Sequence, residues 1–496
     1  MKRFLVFIFL VFPIIVYSQS LWYQIGSDID GEAPYDYSGT AIALSSNGNI
    51  LAIGAKGNDD NGNESGHTRI FSNINGTWSQ LGQDIDGEST GDHSGTSVSL
   101  NSNGDVVAIG ATENDGNGGD AGHVRIYEYD GTSWNQLGQD IDGEFTLDES
   151  GKSVSLSDDG YTVAIGAWWN DGVVNGPSSS THEIGHVRVY EYNGTSWVQR
   201  GQDINGEGQY DRSGRSVSLS SSGNILVIGA PENDGDFSSN SSDNRGHARV
   251  YEYDGASWVQ IGQDIDGESP GDRSGESVSI NSDGSIVAIG AYYNDGNGID
   301  AGHVRIYEYD GISWVQIGQD IDGEAAHDES GWSVSLNAAG NILVIGAGGN
   351  DNNGSGSGHI RIYEYNGASW TQLGQDIDGS NANDFFGHSV SISDDGYIVA
   401  VGATTTGTNV DAGQVSVFEH CSSISNTNIT VCDSYTWNDS TYIQSGTYST
   451  NVGSNSNYSM NFDGVDDYVQ LTNPPFNGVQ NTFSIETSFK LNILSN

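Results

Sequence analysis

The chain is short of positive charge. Sixteen Lys and Arg stand against 66 Asp and Glu in 496 residues, a formal charge of −50. Nucleic acid and anionic membrane surfaces are bound through Lys and Arg, so this balance excludes both as partners. It leaves cations, basic partners and neutral sugars open. Cysteine is nearly absent: only Cys421 and Cys432 occur. The bulk of the chain is therefore held by its core alone, and in an exported protein the two read as one disulfide closing a small loop. Beyond the N-terminus no apolar stretch is long enough for a membrane-spanning helix, and there is no extended helical pattern of Leu, Ala, Glu and Lys. At the N-terminus, Lys2 and Arg3 precede a short apolar run from Phe4 to Tyr17, with small Val16 and Ser18 before Gln19. That is the pattern of a secretory signal over residues 1–18.

What is abundant is glycine and repetition. Seventy Gly without a Gly-X-Y period call for many tight turns, and 11 Trp, 24 Tyr and 14 Phe give the chain enough apolar surface to fold. The heptapeptide GQDIDGE stands at 82, 138, 262 and 318, and with one change at 26, 201 and 374. Trp22, Trp78, Trp134, Trp197, Trp258, Trp314 and Trp370 are spaced by 56, 56, 63, 61, 56 and 56 residues, a period of solenoids, propellers or arrays. One unit carries four strand signals: "SVSL" (97–100), "VVAIGA" (106–111), "HVRIYEY" (123–129) and "SWNQLGQDI" (133–141). Turn residues separate them, as in "NSNGD" (101–105) and "DGTS" (130–133). Seven such units predict an all-β chain, a seven-bladed β-propeller of four-stranded blades over residues 19–420. The first unit opens on a lone Trp strand at 21–29, and the last ends at 420 without one. The N-terminal strand is thus expected to complete the last blade and close the ring, removing exposed strand edges.

The segment "FGHSVSISDDGYIVAVGA" (386–403) resembles the FG-GAP repeat of integrin-α-like propellers, and the other units carry Ser-Gly where it has Phe-Gly, as in "SGTSVSLNSNGDVVAIGA" (94–111). The resemblance covers about 22–420. It implies an extracellular propeller serving adhesion or ligand binding, often with Ca2+. The departure is in the first hairpin of the blade: "SDDG" (157–160) is too short for the D-x-D-x-D-G calcium loop of integrin-type units. Residues 421–457 form a Ser/Thr/Asn-rich linker or small module. "YSMNFDGVDDYVQL" (458–471) with "FSIETSFKL" (483–491) resembles the opening strands of a laminin-G/concanavalin-like sandwich, truncated within 458–496.

In each unit the repeated acids extend to a further Asp, giving D-x-D-x-E-x-x-x-D. The sets are Asp28, Asp30, Glu32 and Asp36; Asp84, Asp86, Glu88 and Asp92; Asp140, Asp142, Glu144 and Asp148; Asp203, Asn205, Glu207 and Asp211; Asp264, Asp266, Glu268 and Asp272; Asp320, Asp322, Glu324 and Asp328; and Asp376, Asp378 and Asp384, where Ser380 replaces the Glu. Oxygens at this spacing are how a short loop wraps Ca2+, so these are candidate calcium ligands. The competing reading is structural: Asp and Gly are turn residues, and a repeated Arg (Arg69, Arg125, Arg188, Arg249, Arg305, Arg361) is placed to pair with the Asp. The repeated His (His67, His123, His186, His247, His303, His359) reads as a buried hydrogen-bonding residue, and the repeated Trp as packing.

Specificity is expected where the repeat breaks. Units three and four carry 7 and 5 extra residues, in "WWNDGVVNGPSSSTHEIG" (168–185) and "PENDGDFSSNSSDNRG" (231–246). Trp168 and Trp169 stand where Tyr292 and Tyr293 stand two units on, and paired aromatics on loops suit sugar rings or a protein partner. No Ser-His-Asp or Cys-His set, zinc motif or phosphate loop stands out. The reading is a secreted or cell-surface, non-catalytic binding or adhesion protein whose partner is an extracellular protein or glycan. The alternatives are a lectin-like protein or a propeller that degrades polysaccharide.

Overall fold

A computed structural model describes residues 22–172, 182–235, 243–405 and 411–420, and the backbone of four short strands beyond them. Seven antiparallel sheets form the seven blades. Their inner strands are Ser38–Leu44, Ser94–Leu100, Ser153–Leu156, Ser216–Leu219, Ser277–Ile280, Ser333–Leu336 and Ser389–Ile392, here numbered as blades 1 to 7. In blade 2 the second and third strands are Val106–Ala111 and His123–Tyr129. The outer strand differs from expectation. It comes in two pieces, Trp134–Gln136 and Ile141–Asp142, both paired with the third strand. Four residues, 137–140, there face two, and Gly138 (φ +82°) takes the left-handed turn that the bulge requires.

The ring closes as the sequence predicts. Trp22–Gln24 and Ile29–Asp30 pair with Gln414–His420, with Trp22 opposite His420 and Ile29 opposite Val415. Every blade contact is then of one kind. The indole N–H of each repeated Trp donates to a main-chain carbonyl of the preceding blade, from Trp134 to Leu81 at 2.7 Å round to Trp22 to Leu373 at 2.9 Å. The core lies between blades: Val106, Ala108, Val124 and Ile126 of blade 2 pack on Val154, Leu156, Val163, Ile165 and Trp197 of blade 3.

Near the axis the blades touch backbone to backbone. Gly229, in extended conformation in "ILVIGA", lies so close to blade 5 that a Cβ on it would stand 2.0 Å from the carbonyl oxygen of Gly275. The same contact recurs between each pair of neighbours, as at Gly110 and Gly402. Serines of the inner strands also bond across blades. Ser97 Oγ donates to the Gly151 carbonyl at 2.7 Å, and Ser99 Oγ accepts from the Leu156 N–H at 3.0 Å.

Beyond residue 420, Thr427–Thr430 pairs in parallel with Tyr458–Asn461, and Tyr435–Trp437 antiparallel with Ser440–Tyr442. The signal segment 1–18, the Cys421–Cys432 pair and the sandwich-like residues after 461 lie outside the described residues.

Candidate functional site

The loop between second and third strands and the linker into the next blade meet on one face of the disc. Gly122, at the end of such a loop, bridges Ser150 of the following linker, and the six equivalent pairs do the same. On this face each residue of the heptapeptide has a task. Gln83 clamps the backbone of Trp134 in the next blade, donating to its carbonyl at 2.8 Å and accepting from its N–H at 3.1 Å. Asp84 accepts from Gln80 at 2.5 Å, and the pairs Gln136–Asp140 and Gln199–Asp203 repeat this. Asp86 offers its main-chain carbonyl to Arg125 at 2.6 Å, while the other Arg125 nitrogen sits 3.6 Å from Glu88. The expected Arg–Asp carboxylate pair is thus an Arg–Glu pair plus a carbonyl contact, repeated at Arg305 with Glu268 and Asp266. The last Asp of the motif is buried, Asp92 being 2% exposed. It accepts from the N–H groups of Glu88 and Ser89 and from Asn114 Nδ2, at 3.1, 2.9 and 3.1 Å. Asp211 and Asp328 hold the same three kinds of contact. Burial dominates at Asp148 and raises its pKa to about 6.

The acids that do converge come from different stretches. Glu88, His123 and Asp140 bring ligand atoms within 4.8 Å of one another, as do Glu144, His186 and Asp203; Glu207, His247 and Asp264; and Glu268, His303 and Asp320. In blade 1 the set is Glu32, Asp60, His67 and Asp84. So the first acid of one motif meets the Glu of the preceding one at the repeated His, while the ninth-position Asp is committed to backbone. The His is buried, as expected, but it does not find the expected hydrogen bonds: Nε2 of His67, His123, His186, His247, His303 and His359 is buried without a partner. Burial first, and the adjacent Arg second, lower the pKa of His123 and His303 to about 4 and of His186 and His247 to about 3. A neutral imidazole with two carboxylates is a donor set that fits a divalent transition metal better than Ca2+, which takes six to eight oxygens.

The second feature of this face was missed in the sequence. A channel of about 230 Å3 is lined by all seven inner strands, so it lies on the axis. Thr40, Thr96, Lys152, Arg215, Glu276, Trp332 and His388 line it, one from each blade at one position of the repeat. No other inner-strand position varies so widely in charge and size. Three residues before each of them stands Tyr37, His93, Glu149, Arg212, Arg273, Glu329 or Phe385, and all seven have φ between 49° and 57°. A side chain in that left-handed region costs about 1 kcal/mol relative to glycine. This chain uses Gly freely elsewhere, yet at none of these seven positions. The side chains are kept there against the backbone's preference.

A cavity of about 490 Å3 opens beside the channel over blades 6, 7 and 1, lined by Tyr37, Lys56, Glu64, His93, Glu329, Trp332, Phe385 and His388 among others. Trp332 stands between it and the channel, 5.7 Å from the His388 ring and edge-on to Tyr292 at 5.0 Å. Of the expected aromatic pairs, Trp168 lies on Trp169 at 5.4 Å between ring centroids. Lys152, Arg212 and Arg215 approach the Trp168 ring at 4.8, 5.1 and 5.4 Å, and its N–H donates to Glu149 at 2.7 Å. Tyr292 is buried at 4% exposure, its hydroxyl accepting from Arg273 at 2.8 Å, so it supports Trp332 rather than facing a ligand; Tyr293 packs against it.

No curated protein matches the chain. Among solved structures, a proposed 6-phosphogluconolactonase from Bacteroides uniformis ATCC 8492 is similar at 11% identity and a TM-score of 0.47, over 68% of this chain and 85% of that one. Residues 321–363 and 377–418, which span blades 6 and 7, match the family described as FG-GAP repeat. The chain is therefore a seven-bladed β-propeller, and in two of its blades the sequence matches the FG-GAP repeat.

Proposed function

We propose that this is an exported, non-catalytic binding protein of the cell surface or extracellular space, whose extracellular partner docks at the axial mouth of the loop face. The observation that carries this is the ring of variable side chains that line the channel, Thr40, Thr96, Lys152, Arg215, Glu276, Trp332 and His388, each three residues after a side chain in left-handed backbone. Repetition builds the frame, and the departures from it collect at one place, as a binding site on a rigid scaffold should. Thr96 faces the channel, so Thr96→Trp should plug it. On arrays of glycans and of extracellular matrix proteins, partners of the wild type should lose at least about tenfold in affinity with the plugged variant, a difference of ~1.4 kcal/mol. Undiminished binding by a variant with a normal melting curve would move the site elsewhere.

The Glu/His/Asp clusters add a second element, binding of divalent cations that tie each linker to the blade it enters. The buried Nδ1 of His67, without a hydrogen-bond partner and 3.9 Å from a Glu32 oxygen, supports it. A cation bound to the native state alone must raise the melting temperature. Mn2+ or Zn2+ should therefore raise it over a chelator control, and more than Ca2+ does. An identical melt in all four conditions would leave the carboxylates with their turn and ion-pair duties only.

A further inference from the structure

The described residues include eleven arginines and two lysines. Every one of those arginines has a carboxylate oxygen within 4.0 Å. In a chain with four carboxylates for each cation this is the expected state. Lys56 and Lys152 are the two exceptions among the described residues. Both stand at the axial mouth, Lys56 in the cavity wall and Lys152 in the channel ring. Neither position is a lysine in any other unit.

Glu149 and Glu276 act on Lys152 only from beyond ion-pair distance. Lys152 has the Trp168 ring at 4.8 Å, and burial and Arg215 together lower its pKa to about 7. Lys56, Arg215 and Lys152 all act on His388, whose pKa burial first and these cations next bring down to about 4. Arg215 is neutralised by Glu276; the lysines are left. The same cavity wall holds the half-buried ring of Trp332 and the carboxylates of Glu64 and Glu329, which accept hydrogen bonds when ionised.

We propose that the axial mouth binds an acidic oligosaccharide, with uronate carboxylates on Lys56 and Lys152, a sugar face on Trp332 and hydroxyl donors on Glu64 and Glu329. The inference rests on the docking reading above and gives it a ligand class. An acidic peptide also offers carboxylates, but it brings further negative charge toward Glu64 and Glu329. A sugar acid brings the hydroxyl donors those two groups require. Aromatic faces in such a site suit the apolar face of a pyranose ring.

The test is calorimetric titration of the intact chain with tetragalacturonic acid in excess chelator, which removes cation bridging to the acidic loops. Binding should weaken with salt and fall by at least about tenfold in Lys56→Gln and in Lys152→Gln, each losing one charged contact. The fully methyl-esterified tetramer should bind far more weakly. Absence of binding, or lysine variants equal to wild type, would overturn the proposal. So would tighter binding of an oligoglutamate. If the ester bound as well as the acid and both were lost in Thr96→Trp, axial docking would stand and the charge assignment would fall. If tetragalacturonate bound Thr96→Trp undiminished, both would fall.

Discussion

Deleting residues 22–30 should lower the melting temperature by more than about 10 °C or abolish the cooperative transition. The segment brings Trp22, Ile25 and Ile29, all buried, into the cores between blades 6, 7 and 1. Truncating one buried Trp costs about 3–5 kcal/mol and one buried Ile about 2–5 kcal/mol. Their sum is of the order of the whole stability of a domain, about 5–15 kcal/mol. The deletion also bares the edge of Gln414–His420, which the segment pairs, and an unpaired edge invites association with other chains. For a ring of this size the unfolding entropy is about 2 cal/mol/K per residue, so a loss near 10 kcal/mol is a shift near 10 °C. Calorimetry of the deleted and intact chains decides it; equal melts would contradict closure by this strand.

The second large effect is expected from one methyl group. By intrinsic preference Gly229→Ala should help, since Ala in an extended strand gains about 0.5–1 kcal/mol over Gly. The packing reverses the sign. The new Cβ would stand 2.0 Å from the Gly275 carbonyl oxygen, backbone against backbone, so relief requires blades 4 and 5 to part. Overpacking of a well-filled interior typically costs about 1–3 kcal/mol, and more where no side chain can yield. We expect a loss of about 3 kcal/mol or more in chemical denaturation. Gly119→Ala is the control: its nearest neighbours are 3.9 Å away, and it should be neutral or slightly stabilising. A Gly229→Ala protein as stable as wild type would mean that the blades are not packed this closely.

These two experiments touch what the sequence made legible. The period of the tryptophans gave the blade count, and the lone Trp strand at the start with none after 420 gave the closure. The Ser-Gly and Val-Ile-Gly-Ala signatures were readable as strands, but their glycines could not be explained until neighbouring blades were placed against each other. The acidic motif misled for a related reason. Read along the chain, Asp84, Asp86, Glu88 and Asp92 look like one loop wrapping a cation. In space Asp92 turns to its own backbone and to Asn114, while Glu88 meets Asp140, 52 positions on, at His123. The two-piece outer strand was hidden because "SWNQLGQDI" alternates as a continuous strand would, and only Gly138 betrays the bulge.

The axial ring was within reach. Once the seven units are aligned, the position of Thr40, Thr96, Lys152, Arg215, Glu276, Trp332 and His388 holds six residue types, although Ser-Gly or Phe-Gly stands before it and a strand after it. The long insertions at 168–185 and 231–246 drew attention instead, because length is easier to see than variation at one position. Trp168 connects the two signals: it opens the longest insertion and lies against Lys152 and Arg215 of the ring.

The central claim is that the variable ring is where the partner binds. Amide hydrogen exchange read with and without the tightest array ligand tests it most directly. Slowed exchange should concentrate in the residues leading into the inner strands, 36–40, 148–152, 211–215, 328–332 and 384–388. The hairpins at the opposite ends of those strands, such as 45–49 and 101–105, should be unchanged. Protection confined to those hairpins or to the outer strands would contradict the account.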